Sequence, residues 1–155
     1  MHFEGRETVN APIDAVWAFL TDAQSVMGCT PGFREVEAII GPDHFRPVVT
    51  ASVGLVKATF TLDCHIVNKQ PPHKARITGR GSAVGSAVDA QSDLELISES
   101  PGKTTIIWTA DATLSGALTN MGARLVDSAA EKTTNSFFAC VREKLDAGAR
   151  AGVVR

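Results

Sequence analysis

The chain has 155 residues, 44% hydrophobic and 21% charged, which is the size and make-up of one ordinary globular domain and leaves no room for a second core. At this length folding buries roughly 70% of the unfolded surface, so the core needs neither disulfides nor a metal as a staple. Fifteen basic against seventeen acidic residues give a formal charge of -2, which excludes the basic field that nucleic-acid binding requires.

Cys29, Cys64 and Cys140 are odd in number and fit neither a disulfide framework nor a CxxC zinc site. A reducing, cytoplasmic setting is the simplest reading of that usage. The first residues carry charge at Glu4, Arg6 and Glu7 and hold no secretory apolar stretch. No run approaches the roughly 18 apolar residues of a transmembrane helix, so any membrane contact is expected to be peripheral.

A first strand leads to Pro12, which suits the first position of a helix, and Ile13, Val16, Trp17 and Leu20 then recur at helical spacing. Asp22 is placed to cap a second short helix through Val26 and Met27, closed by Gly28 ahead of the Cys29-Thr30-Pro31-Gly32 loop. Strands follow over Phe33 to Ile40 and Phe45 to Val53. From Val56 to Ile66 the apolar residues Val56, Ala58, Phe60, Leu62, Cys64 and Ile66 alternate with polar ones, which predicts a long strand with one wet face. The same period marks Lys74 to Arg80, Val88 to Leu96 and Thr105 to Leu114. Lys74, Arg76 and Arg80 then form an outer basic row opposite the acidic Asp89, Asp93 and Glu95 if these strands are antiparallel neighbours. After Ser115-Gly116 the period changes, and Leu118, Met121, Leu125, Ala129, Phe137, Val141 and Leu145 mark one face of a long helix. The order is strand, two short helices, an antiparallel meander making about seven strands in all, and one long C-terminal helix, an α+β plan with a curved sheet around the helix.

The inward-facing positions of the sheet are small: Ala58, Ala75, Gly79, Gly81, Ala90, Ser92, Ala110 and Ala112. Two accounts fit. Small residues let a sheet bend and a helix approach closely. They also leave volume for a cavity walled by Phe60, Leu62, Ile77, Leu94, Trp108, Leu118 and Met121 under the front half of the long helix, with Phe33 at its rim, Leu125 further along the helix, and access near the Cys29 to Phe33 loop and the Ser115 to Leu118 turn.

Catalytic patterns are weak. Cys64 and His65 are sequence neighbours that a strand points to opposite faces. Gly102-Lys103-Thr104 imitates the end of a phosphate loop, but Ile97 stands where the first glycine is needed, so it reads as a hairpin turn. Gly79, Gly81 and Gly85 miss dinucleotide spacing and read as strand curvature. His2, His44, His65 and His73 follow no metal-ligand spacing, so no metal site and no catalytic residue is expected. Asp111 and Lys57 fall on the outer phase of their strands, and nothing in the sequence brings them together.

Phe3-Glu4-Gly5, Ala11-Pro12 before Val16-Trp17-Ala18-Phe19-Leu20, Asp22, the Pro31-Gly32 loop, Val53 to Ala58, Gly79-Arg80-Gly81, Asp111 with Ser115-Gly116, and Met121 to Arg124 together resemble the carbon monoxide dehydrogenase CoxG family of the START-like, helix-grip (SRPBCC) superfamily. The resemblance spans nearly the whole chain and rests on the order and spacing of these segments, none of them specific alone. It implies a single START-like domain over residues 1–147 with a short tail over 148–155. It also implies a non-catalytic accessory protein of a molybdenum-containing carbon monoxide dehydrogenase-type hydroxylase. Such a protein holds no fixed cofactor, binds an apolar guest such as a quinone or lipid in an internal cavity, and helps couple the enzyme to the inner face of the cell membrane. Longer members of the family carry a proline-rich linker and an apolar tail after the domain, whereas this sequence stops at Gly148 to Arg155, so weak bilayer affinity is expected. The alternatives are a small cyclase or hydrolase using the same cavity and a structural assembly factor with a filled core.

Overall fold

The computed structural model describes residues 1–53 and 55–154, apart from the side chains of 56, 118 and 147–154. Strand β1 (His2–Val9) is followed by helices α1 (Ile13–Leu20) and α2 (Ala23–Cys29). Strands β2 (Phe33–Gly41), β3 (His44–Val53), β4 (Val56–Gln70), β5 (Lys74–Ala83), β6 (Ser86–Ser100) and β7 (Lys103–Gly116) come next. A 3₁₀ turn, Ala117–Met121, leads into helix α3 (Ala123–Val154).

The seven strands form one antiparallel sheet in the order β1-β7-β6-β5-β4-β3-β2. Each consecutive pair from β2 to β7 is a hairpin neighbour, and only β1 pairs with a strand distant in sequence. Alternation along the strands separates the faces as the sequence predicts, with Phe60, Cys64, Ile66, Ala75, Leu96 and Ile106 buried. On the outer face the basic row of β5 meets the acidic row of β6: Lys74 opposes Glu95, Arg76 opposes Asp93 and Arg80 opposes Asp89. Arg76 donates from Nε to Asp93 at 2.7 Å, and that carboxylate raises the guanidinium pKa above its ordinary value. Arg80 and Asp89 close to 2.9 Å while remaining exposed, so they fix register more than they add stability.

Pro12 caps α1 instead of opening it. Its extended backbone (φ -62, ψ 150) leaves its carbonyl free to accept from Ala15 and Val16, and a residue without an N–H loses nothing at that position. Asp22 caps α2 by accepting from the Ser25 N–H at 3.0 Å. The helix runs through Gly28 to Cys29, because Thr30 ends it by donating its N–H to Met27 and its hydroxyl to Val26. The left-handed residue is Gly32 (φ +80), where a side chain would collide with the Thr50 carbonyl.

The reading that the cysteines fit no disulfide framework is corrected. Cys29 at the end of α2 and Cys140 on α3 form a disulfide with Cα atoms 5.4 Å apart, and Cys64 is the free cysteine. The two sulfurs are 111 residues apart in sequence, and they meet because α2 packs on α3, a tertiary contact that spacing rules do not express. The bond also removes cysteine usage as an argument for a reducing compartment.

The core divides into three clusters. The first joins Val9, Val16, Leu20, Leu96 and Ile106 to Phe138, Val141 and Leu145 of α3, so the long helix lies across the sheet. The second joins Met27 to Phe45, Cys64, Ile66 and Ala75. The third surrounds Val53 and Phe60 with Met121 of the 3₁₀ turn and with Val126 and Ala129 at the start of α3. Close approach within the sheet accounts for Gly81: an added Cβ would strike the Thr61 carbonyl and lie 2.6 Å from Leu62. Gly81→Ala is expected to destabilise the protein by about 1–3 kcal/mol, since backbone cannot yield as a flexible side chain does. Urea unfolding at unchanged m-value measures it, and an unshifted midpoint would contradict the packing argument.

Candidate functional site

Between the sheet and the first half of α3 lies an apolar cavity of about 240 Å³. Its floor is the inner face of the central strands, with Ile77 from β5, Ser92 and Leu94 from β6, and Trp108 and Ala110 from β7. Register places Ser92 against Ala110 and Leu94 against Trp108, a small pair beside a large one, so the depression forms over the small pair. Ser92 donates its hydroxyl to the Thr109 carbonyl at 2.9 Å. The roof is α3, through Thr133, Thr134, Phe137 and Phe138. Leu20, Val26, Thr30 and Pro31 close the side.

The aromatic side chains are mutually supported. Trp108 stacks on Phe138 with centroids 5.9 Å apart, and Phe138 meets Phe137 edge-on at 5.2 Å. The indole edge of Trp108 lies where a side chain on Gly5 would stand, 2.7 Å from its Cβ position, so a glycine is required there. Trp108 Nε1 is a buried donor without a hydrogen-bond partner among the described residues. The Cys29–Cys140 bond sits beside this cavity, next to Thr30 in sequence and two residues beyond Phe138.

Of the residues the sequence puts on the cavity wall, Ile77, Leu94 and Trp108 line this space. Phe60, Leu62 and Met121 pack in the third cluster, toward the start of α3. Phe33 packs against Met27 and Phe45 in the second. Leu125 is 44% exposed, and the side chain of Leu118 lies outside the described residues. Thr30 and Pro31 of the expected gate border the cavity, while the Ser115 to Leu118 turn does not contribute to its described lining. Thr133, Thr134 and Phe138 escape sequence reasoning because the inward face of α3 drifts around the helix, and only packing on a curved sheet decides its phase. A second cleft of about 500 Å³, between β1 and α3, carries Glu4, Glu7, Asp127 and Glu131 and offers no apolar surface of comparable extent.

The outer face holds the polar candidates. His2 Nδ1 lies 2.7 Å from Asp111 Oδ1, and exposed Lys57 opposes Ser52 on β3, so Asp111 and Lys57 remain apart. His44 and His65, which no spacing rule connects, stand directly opposite in the β3–β4 register and flank Asp63. Hydrogen bonding from His44, and then from Arg46, holds the Asp63 carboxyl well below the usual carboxylate range.

Cys64 points the other way, into the core. Burial, with a smaller contribution from the Asp63 charge, pushes its thiol up to about 11. Near pH 8 the native chain therefore holds roughly 100-fold less Cys64 thiolate than the unfolded one. Iodoacetamide is expected to label Cys64 slower in native protein than in urea by at least that factor, and equal rates would show an accessible, ordinary thiol.

A model of the carbon monoxide dehydrogenase CoxG family matches residues 5–146. Comparison with curated proteins gives no match. Among solved structures the chain is similar to a conserved protein from Geobacillus kaustophilus, at 19% identity and a TM-score of 0.87, covering 95% of this chain and 96% of that one. It is also similar to the Zhui aromatase/cyclase from Streptomyces sp. R1128, at 18% identity and a TM-score of 0.74, covering 98% and 97%. A START superfamily protein from Mycobacterium smegmatis aligns at 10% identity with a TM-score of 0.70, covering 94% and 97%. At these identities the structures speak for the fold, a START-like seven-stranded sheet gripping a long C-terminal helix, while the family is carried by the sequence match. The chain belongs to the carbon monoxide dehydrogenase CoxG family.

Proposed function

We propose that this protein is a non-catalytic accessory component that holds an apolar ring compound, of quinone type, and docks on a molybdenum-containing carbon monoxide dehydrogenase-type hydroxylase at the inner face of the cell membrane. The observation that carries the reading is the apolar cavity between β5–β7 and α3, whose described wall side chains are aliphatic, aromatic or hydroxyl-bearing. Such a wall desolvates and orients a guest but supplies no acid or base near neutral pH. That weighs against the cyclase alternative, which the fold of the Streptomyces aromatase/cyclase keeps in view. A filled-core assembly factor is disfavoured by the open volume itself.

The size of the space narrows the guest. At about 240 Å³ it falls just under the roughly 300–1,000 Å³ typical of drug-sized ligands, so it suits a fused-ring head group, with any long tail leaving past the Thr30-Pro31 loop. Membrane coupling on this reading comes through the partner enzyme and peripheral contact, since no helix among the described residues is long and apolar enough to cross a membrane. The domain assigned to this role is residues 1–147, and the expected tail over 148–155 continues helix α3 as far as Val154.

The chain has two tryptophans, so Trp17→Phe leaves Trp108 as the reporter. Titrating a short-chain naphthoquinone into that variant is expected to quench Trp108 emission saturably. Quenching that stays linear with concentration would mark collisional contact and overturn the reading, and turnover of an added polyketide-type substrate would establish the enzyme instead.

A further inference from the structure

We propose that the outer face of β3 and β4 carries a binding site for a single divalent transition metal ion, formed by His44, Asp63 and His65. The site lies on the face of the sheet away from the apolar cavity and is independent of the function proposed above.

The strands dictate the arrangement. Phe45 and Cys64 oppose one another and point into the core, so their neighbours His44, Asp63 and His65 point outward. His44 and His65 are register partners, and their rings stack with centroids 3.8 Å apart and an interplanar angle of 21°. His44 Nε2 lies 2.6 Å from Asp63 Oδ1, and His65 Nε2 lies 3.2 Å from Asp63 Oδ2. One ligand atom from each of the three residues falls within 4.8 Å of the others. Bound at about 2.0–2.1 Å, tetrahedral ligand atoms stand about 3.3 Å apart, and an imidazole binds through a lone pair in its ring plane, so the two rings must open from their stack to converge with Asp63 on one ion.

The donor set selects the ion. Two imidazoles and a carboxylate suit Zn²⁺ and its transition-metal neighbours and do not suit Ca²⁺ or Mg²⁺, which require oxygen ligands. The side chains are 26%, 42% and 41% exposed for His44, Asp63 and His65, so water completes the coordination and the site stays open. The surrounding charges set a limit on affinity. Arg46 donates from Nε to Asp63 Oδ1 at 3.1 Å and competes with a cation for that oxygen. From β5, Arg80 opposes Asp63 but is engaged by Asp89, and Thr78, opposite His65, is uncharged. Arg46 is therefore the one close cation among the described residues of these strands that a metal must displace.

The test is calorimetric titration of Zn²⁺ into the disulfide-bonded full chain, with Co²⁺ absorption reporting the ligand field. One ion per chain is expected. Groups that merely orient a metal ligand are worth roughly 10- to 100-fold in affinity, so loss of a ligand itself, in His44→Ala or His65→Ala, should weaken binding by at least tenfold. Arg46→Gln should tighten it, and excess Mg²⁺ should not compete. Both histidines are on a solvated face, so circular dichroism should show the variants folded. Zn²⁺ binding that survives unchanged in the His44→Ala/His65→Ala double variant would place the ion elsewhere and overturn the proposal. So would the lack of saturable binding in both the wild type and Arg46→Gln.

Discussion

Replacing both Cys29 and Cys140 with alanine is expected to lower the stability of the oxidised protein by about 2–5 kcal/mol, a greater loss than Gly81→Ala should cause. The bond closes a loop of 111 residues, and chain-entropy arguments give the greatest stabilisation to the longest loops. It also pins the end of α2 to the middle of α3, where Cys29 is buried in the same cluster as Phe138 and Val141. Against the roughly 5–15 kcal/mol that holds a domain together, such a loss is a large fraction. Urea unfolding of the oxidised wild type, the reduced wild type and the double variant measures it. The last two should coincide, and a difference below about 1 kcal/mol between oxidised and reduced protein would mean that α2 and α3 are held by packing alone.

The second large effect concerns the cavity. Ala110→Phe should abolish saturable naphthoquinone binding, weakening it by roughly 100-fold or more, while changing stability by less than about 1.5 kcal/mol. Ala110 sits on the cavity floor opposite Ser92, so the new ring enters open volume instead of a packed core. Met121→Trp is the contrasting change. Met121 is a partly buried neighbour of the third cluster, away from the cavity lining, so this change should leave ligand affinity nearly intact. Equal losses of binding in the two variants would show that the guest occupies the start of α3 and not the space under Thr133 to Phe138.

Much of the architecture is legible because it is local. Alternation over Val56 to Ile66, the punctuation at Pro31-Gly32 and Pro101-Gly102, the Asp22 cap and the shift of period after Gly116 each act within a few residues. They suffice for the strand count, the element order and which face is wet. The small inward residues of β6 and β7 point to the cavity in the same way, since Ser92 and Ala110 lie at its floor. What the sequence conceals is non-local. Cys29 meets Cys140 only because two helices dock, and His44 meets His65 only because a hairpin has one register and not the next. The roof residues Thr133 and Thr134 are concealed too, being polar on a helix whose inward face is otherwise read from apolar residues.

The pairing of β1 with β7 has a consequence for how the protein is made. His2 finds its partner Asp111 at a separation of 109 residues, so of these seven strands the first to be synthesised is the last to gain a neighbour in the sheet. At about 5–20 residues per second, translation alone imposes a wait on the order of 5–20 s. Through that interval Phe3 and Val9 have no β7 to cover them, and α3, whose Arg142 reaches Glu7, has not been synthesised. The hairpins from β2 onward can assemble as they emerge, while the amino-terminal strand must stay soluble until it is captured. The charges at Glu4, Arg6 and Glu7, interleaved with its apolar residues, suit a segment that spends its early life alone.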